Sequence, residues 1–282
     1  MFKNDLLAGK RILITGGGSG LGKSLGRRYA ELGASLVICG RREAVLAQAA
    51  RELREDLGAA VEIHACDVRN PDAVDAMLSA VWRNGPLDVL VNNAAGNFLA
   101  RTESLSPRAV DAVIDIVLKG GAWCTIGAGR RWIEAGRPGT VLCVLTQSAL
   151  AGMPFTTPSA MAKAGLLAMI RSLAVEWGPK GIRLVGVAPG PFPTEGAWSR
   201  LMPAERQRHA PEDGVALRRL GRHEEFADLC TFLVSDNAGF ITGEVVQIDG
   251  GKMLQGAAGA FAATMQAWPE SSWESLRRQG KE

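Results

Sequence analysis

The chain has 282 residues, 47% hydrophobic and 22% charged, with a net charge of +3. That length fits one large α/β domain or two small ones, and so mild a charge, with no Lys/Arg block, argues against nucleic acid as a partner. No run approaches the ~18 apolar residues needed to span a membrane, residues 1–11 lack a signal-peptide core, and the five scattered cysteines read as reduced thiols of a cytoplasmic protein.

Strands and helices alternate along the chain. Residues 11–15 form an apolar strand, followed by the glycine-rich loop Thr15-Gly16-Gly17-Gly18-Ser19-Gly20-Leu21-Gly22 and a helix to about residue 32. A strand at 35–39 leads to Arg41, Arg42 and a helix over 43–57. A strand at 60–65 ends near Asp67, and Asn70 before Pro71 marks the start of a helix over 71–82. The run 87–91 is a buried strand that stops at Asn92-Asn93-Ala94-Ala95-Gly96-Asn97-Phe98. Two amides, two alanines and a glycine cannot form a core layer. They can form a tight turn with free polar groups. One long helix is expected over about 108–135, then a strand at 140–145, a helix at 158–177 and a strand at 182–187 that stops before Pro189-Gly190-Pro191. Residues 192–222 are irregular, rich in Pro and Arg, and long enough to be a substrate loop. A helix over 224–235 and a strand over 244–248 close the pattern. Such an alternation of seven strands with helices predicts a single doubly wound parallel sheet, α/β in class. Residues 1–251 make up that domain, and 252–282 form a tail, with Trp268 and Trp273, that packs on the body or on a neighbouring subunit. The three histidines have no metal-ligand spacing, so no metal is expected.

The glycine loop has two readings. Gly17-x4-Gly22-Lys23-Ser24 is a formal P-loop match between a strand and a helix. The alternative is a dinucleotide site. Both place backbone N–H groups and a helix N-terminus before phosphate. The P-loop reading leaves the Asn-rich turn, Lys163 and Pro189-Gly190 unexplained. Arg41 and Arg42 stand where an NAD-type fold places an acid on the ribose 2′-hydroxyl. Two arginines there suit a 2′-phosphate, held by forked hydrogen bonds.

Thr15-Gly16-x3-Gly20-x-Gly22, Asp67-Val68, Asn92-Asn93-Ala-Ala-Gly96, Lys163 and Pro189-Gly190 together resemble the short-chain dehydrogenase/reductase family, from about residue 10 to 251. Within it the chain is most like the 2,4-dienoyl-CoA reductases, on Asn97-Phe98, the stretch 114–120, Pro158-Ser159-Ala-Met-Ala-Lys163-Ala-Gly165, and residues 189–201. The resemblance implies NADPH as cofactor, an acyl-CoA thioester as substrate and a homotetramer. Gly16, Gly18, Ser19, Gly20 and Leu21 would cradle the pyrophosphate. Arg41 and Arg42 would take the 2′-phosphate, Asp67 and Val68 the adenine, and Asn93, Lys163, Pro189, Gly190 and Phe192 the rest of the cofactor. Asn97 would bond the thioester carbonyl. Arg69, Phe98, Ser106 and Arg200 would line the acyl-CoA site.

One departure stands out. The family's usual tyrosine four residues before the lysine is Ser159 here. The tyrosine that serves instead in mitochondrial-type dienoyl-CoA reductases is Ser148, and the aspartate of peroxisomal-type relatives is Val117. The single tyrosine, Tyr29, lies on the helix after the glycine loop. The expected catalytic set is therefore Asn97, Ser148, Ser159 and Lys163, acting on an unsaturated acyl-CoA. The alternatives are a catalytically weak homologue, serving as a partner subunit or sensor, and a P-loop NTPase.

Overall fold

The computed structural model describes residues 2–194, 196, 211–256 and 268–271. Arg200, about half of the expected substrate loop and most of the C-terminal tail lie outside the described residues. In chain order the elements are β1 (Arg11–Thr15), α1 (Gly20–Glu31), β2 (Ser35–Gly40), α2 (Glu43–Leu57), β3 (Val61–Ala65), α3 (Pro71–Arg83), β4 (Val89–Asn92) and α4 (Pro107–Ile114). They continue with α5 (Gly120–Glu134), β5 (Gly139–Val144), α6 (Ser148–Ala151), α7 (Thr157–Trp177), β6 (Ile182–Pro189), α8 (His223–Val234) and β7 (Val245–Ile248).

The central strands are short aliphatic runs buried on both faces, which suits a parallel sheet covered by helices. All pairings are parallel, in the order β3-β2-β1-β4-β5-β6-β7. From β1 the chain builds outward through β2 and β3. It then crosses back to lay β4 on the other side of β1, with Ile12 facing Val89 and Ile14 facing Val91. The order of strands reverses at that pair, and the crevice opens there. Helices α1, α2 and α8 cover one face, and α3, α4, α5 and α7 the other.

Local chemistry sets the element ends. Asn70 caps α3, its side chain accepting from Asp72 N (2.9 Å) and Ala73 N (3.2 Å), with Pro71 in the first turn. Gly58 ends α2 in the left-handed region at φ 63°. Trp132 is buried and donates Nε1–H to Leu87 O at 2.6 Å, which fixes α5 under β4.

The expected long helix over 108–135 is interrupted. Asp115–Lys119 forms wider π-type turns between α4 and α5. Such turns insert an extra residue and are frequent beside functional sites; hydrophobic periodicity does not reveal one. The short helix α6 was also absent from the sequence reading. It is too brief to carry a period.

Gly22 packs where no side chain fits. A Cβ on it would lie 2.5 Å from both Asn93 Nδ2 and the Gly16 carbonyl oxygen. Gly22→Ala should therefore cost about 1–3 kcal/mol through overpacking, seen as a fall of several degrees in melting temperature together with weakened dinucleotide binding. An unchanged melting temperature would show that the join has slack.

Candidate functional site

The site is built on one buried hydroxyl. Thr15 Oγ1, at the end of β1, accepts from Asn93 N and Ala94 N, both at 3.0 Å, and donates to Val91 O at 3.3 Å. Asn93 Nδ2 returns the contact, donating to Thr15 O (2.9 Å) and Gly16 O (3.3 Å). The glycine loop and the Asn-rich turn are thereby joined at the strand reversal. Gly16 makes the turn at φ 68° and donates to Cys39 O at 2.8 Å. Asn92 faces the other way, into the core, where Nδ2 donates to Thr125 Oγ1 at 2.7 Å. It braces β4 against α5, while Asn93 serves the crevice.

Around the loop, Gly18, Gly20 and Leu21 are half-buried and Ser19 is exposed. The Ser19 side chain makes no capping bond and the first turn of α1 holds no acid. The first N–H groups of the helix are left for an anion. Lys23 pairs with Glu52 at 2.5 Å, and Ser24 Oγ faces Gly20 O and His223. In a P-loop both groups serve the nucleotide and its magnesium; here both are engaged on the outer side of α1, and the NTPase reading is set aside. Arg41 and Arg42 are exposed after β2 and, among the described residues, their side chains make no hydrogen bond or ion pair.

Asp67, at the end of β3, is forked by Arg69, whose Nε lies 2.9 and 3.0 Å from the two carboxylate oxygens. Those bonds, with the Arg69 N–H and the charge of Arg41, hold the Asp67 carboxyl below its ordinary pKa. Arg69 was expected at the acyl-CoA site; the structure turns it onto Asp67. Val68 is buried against Gly120, at the start of α5.

At the other end of the crevice, Asn97 Oδ1 accepts from Phe98 N at 2.9 Å. That bond occupies the acceptor end of the amide and leaves its NH2 group as the end that can donate. Phe98 packs against the core. Ser106, expected to touch substrate, is exposed and caps α4 by accepting from Ala109 N at 3.2 Å. Ser148 Oγ is hydrogen-bonded to Thr146 Oγ1, a residue the sequence reading missed. A second hydroxyl two residues away on the same strand end was the available signal. Gln147, between them, donates to Asp249 beyond β7. Two contacts draw the Asn97 segment to the one after Ser148: Ala100 N to Phe155 O, and Thr102 Oγ1 to Thr157 Oγ1, both at 3.0 Å.

Ser159 and Lys163 are buried one turn apart on α7, each 4% exposed. Lys163 Nζ donates to Val144 O, at the end of β5. Burial lowers its pKa to about 8, opposed only by the neighbouring Cys143 sulfur. Pro189 closes β6, and Gly190 N donates to Ile248 O at 2.9 Å. The Phe192 ring turns away from the crevice, packing on Phe226 at 5.6 Å between ring centres. Only its backbone is left to face a cofactor. Cys39, Cys66, Cys124, Cys143 and Cys230 are all free and buried. Among the described residues no cluster could hold a metal ion and no helix is long and apolar enough to cross a membrane.

A family model described as enoyl-(acyl carrier protein) reductase matches residues 16–252. A Bacillus subtilis (strain 168) protein named as a probable 2,4-dienoyl-CoA reductase, (2E)-enoyl-CoA-producing, is 40% identical over 247 residues, 87% of this chain and 97% of that protein. A Caenorhabditis elegans protein named as probable 2,4-dienoyl-CoA reductase 3 is 37% identical over 296 residues, 100% of this chain and 94% of its own length. Among solved structures, a gluconate 5-dehydrogenase from Burkholderia cenocepacia J2315, in complex with NADP and tartrate, superposes with a TM-score of 0.82 at 29% identity, covering 89% of this chain and 98% of that one.

A lysine buried without a carboxylate partner burdens the fold. Its pKa is about 8 when folded and 10.5 unfolded, so the penalty is fully present below pH 8 and fades as pH rises from 8 to 10.5. Lys163→Met should then raise the melting temperature at pH 7, and the advantage should shrink as pH approaches 10. Thermal melts of both proteins across that range check the sign; a variant less stable than wild type at pH 7 contradicts it.

Proposed function

The chain belongs to the short-chain dehydrogenase/reductase family, and from that footing we propose that it is an NADPH-dependent reductase of unsaturated acyl-CoA thioesters, of 2,4-dienoyl-CoA reductase type. The observation that carries the reading is the Asn97 amide. Its acceptor end is taken by its own backbone neighbour, so that its NH2 group is the end left to donate, on a segment tied to the one that follows the Thr146–Ser148 hydroxyl pair, and the sequence has no phenol at either family position.

The residues present suit a nicotinamide dinucleotide. The uncapped first turn of α1 would receive the pyrophosphate, Arg41 and Arg42 the 2′-phosphate, Asp67 and Val68 the adenine, and Lys163 the nicotinamide ribose. The bound nicotinamide supplies the hydride. The protein's task is to hold the thioester oxygen as negative charge grows on it. Donors aimed there are each worth roughly 10²–10³ in rate. Asn97 supplies one, and the Thr146–Ser148 pair supplies another, since two hydroxyls bonded to each other leave one hydrogen free to point onward. Water then supplies the proton at carbon. Ketone reduction is disfavoured, because an alkoxide needs direct protonation by a good acid and a serine hydroxyl is a poor one.

A second reading, a binding subunit or sensor without turnover, draws on the missing phenol. Tyr29 is fully buried on α1 and cannot replace it. A homotetramer is part of the proposal as well, supported by Trp123 and Ile126 exposed on α5.

NADPH consumption with a panel of dienoyl-, enoyl- and ketoacyl-CoA thioesters decides between the readings. Turnover should appear with dienoyl-CoA and fall roughly 10²-fold in Asn97→Ala, the loss of one such donor. No turnover with any thioester, at intact NADPH affinity, would favour the sensor. Separately, NADPH should bind more tightly than NADH, and Arg41→Ala with Arg42→Ala should cut that preference by about tenfold or more, as expected for charge-assisted bonds of about 1.5–3 kcal/mol. Equal binding of the two cofactors by the wild type would remove the NADP assignment.

A further inference from the structure

The P-loop-like stretch contains a serine that the cofactor reading leaves without a task, and α8 begins on a histidine far from any predicted site. The two meet. Ser24 Oγ lies 2.7 Å from His223 Nδ1, and His223 Nε2 lies 2.7 Å from the carbonyl oxygen of Pro193. A carbonyl only accepts, so Nε2 carries the hydrogen. In the neutral ring Nδ1 is then the acceptor, and the single hydrogen of Ser24 goes to it rather than to Gly20 O at 3.2 Å. The imidazole is therefore a bridge with a defined direction, from the early part of α1 to the segment that follows β6.

That segment forms a wall of the crevice. The Thr194 side chain sits over the glycine loop, its Cγ2 3.5 Å from where a Gly20 Cβ would be. From the other side, the Phe192 ring is clamped against Phe226 of α8 and against Gly221, which leaves no room for a side chain at 221. Proline at 193 has no N–H of its own, so its backbone can be held only through its carbonyl, while Gly221 N holds the chain two residues earlier at Pro191 O, 3.1 Å. His223 is the group that takes the Pro193 carbonyl.

We propose that His223 is a positioning residue for the cofactor. It seats the Pro193–Thr194 corner on the first turns of α1 and so sets the gap between the wall after β6 and the glycine loop. A nicotinamide dinucleotide has to enter between those two walls. The inference rests on the cofactor part of the proposed function and adds to it a residue remote from the strand ends.

Two near-isosteres separate positioning from general packing. The amide nitrogen of glutamine overlies imidazole Nε2 and can still donate to Pro193 O. Asparagine is a bond shorter and reaches only toward Ser24. NADPH dissociation constants and melting temperatures without ligand are measured for wild type, His223→Gln, His223→Asn and Ser24→Ala. His223→Asn should weaken NADPH binding about tenfold, the loss of one hydrogen bond of about 1.4 kcal/mol, while His223→Gln stays within about threefold of wild type and both melt at similar temperatures. Ser24→Ala removes only the hydroxyl that orients the ring and should weaken binding by a smaller factor of about two to five. It keeps the question decidable should the Asn variant fail to fold. Wild-type affinity in both His223→Asn and Ser24→Ala, or equal losses in Asn and Gln, overturns the positioning role. Absence of saturable NADPH or NADH binding in the wild type overturns the cofactor reading itself, and this inference with it.

Discussion

The Thr15 hydroxyl is the constraint on which the crevice depends. A parallel sheet that reverses its order between β1 and β4 leaves two strand ends side by side, each with backbone groups that the ladder no longer pairs. Thr15 Oγ1 takes two of the orphaned N–H groups from the Asn93 turn and gives its hydrogen to Val91 O. The Asn93 side chain covers the carbonyls of Thr15 and Gly16 in return. With these partners the loop and the turn hold their shape before any ligand arrives. The close approach also explains why Gly16 and Gly22 cannot carry side chains. Preorganisation of this kind lowers the ordering that binding must otherwise bring about.

Much of this architecture was legible in the sequence because it is local. Aliphatic runs of five or so residues bounded by glycine, and caps such as Asn70-Pro71, give strand and helix positions directly, and the alternation gives the sheet. What escaped was set by partners distant in the chain. Arg69 reads as a free cation until Asp67 folds beside it, and Lys23 reads as a phosphate ligand until Glu52 on α2 takes it. Ser106 reads as a ligand-facing hydroxyl until it caps α4. The Thr146–Ser148 pair and the π-type turns at Asp115–Lys119 carry no periodic signal at all. Strand ends told where chemistry sits. Which polar groups remain available there is a property of pairing.

Lys163 shows the opposite relation between stability and site. The ammonium is fully enclosed, with a carbonyl rather than a carboxylate for company, and burial alone draws its pKa toward neutrality. Nearby Cys143 responds in the complementary sense, its thiol pushed up to about 11 by burial, with Asn92 and Lys163 pulling back. A core optimised for stability would hold an apolar chain at this position. An ammonium kept there despite its desolvation fits the ribose-holding role proposed for Lys163.

The absent phenol is best understood through what the remaining groups can do. In reduction of a carbonyl the new charge and the new proton belong to the same oxygen, so the acid must be strong and adjacent. In reduction of a conjugated thioester the charge is spread to the thioester oxygen while hydride arrives at a remote carbon, and hydrogen-bond donors suffice to hold it. Asn97, with its acceptor end occupied by Phe98 N–H, and a serine–threonine pair able to pass one hydrogen outward, are donors of that kind and poor acids. The buried hydroxyl of Tyr29, without a hydrogen-bond partner among the described residues, lies in the opposite core layer, among α1 and α8. On the proposed function, such a site would rely on electrostatic stabilisation rather than on a strong acid. The proposed reduction of a conjugated thioester suits that balance, because its proton is delivered at carbon and need not come from the protein.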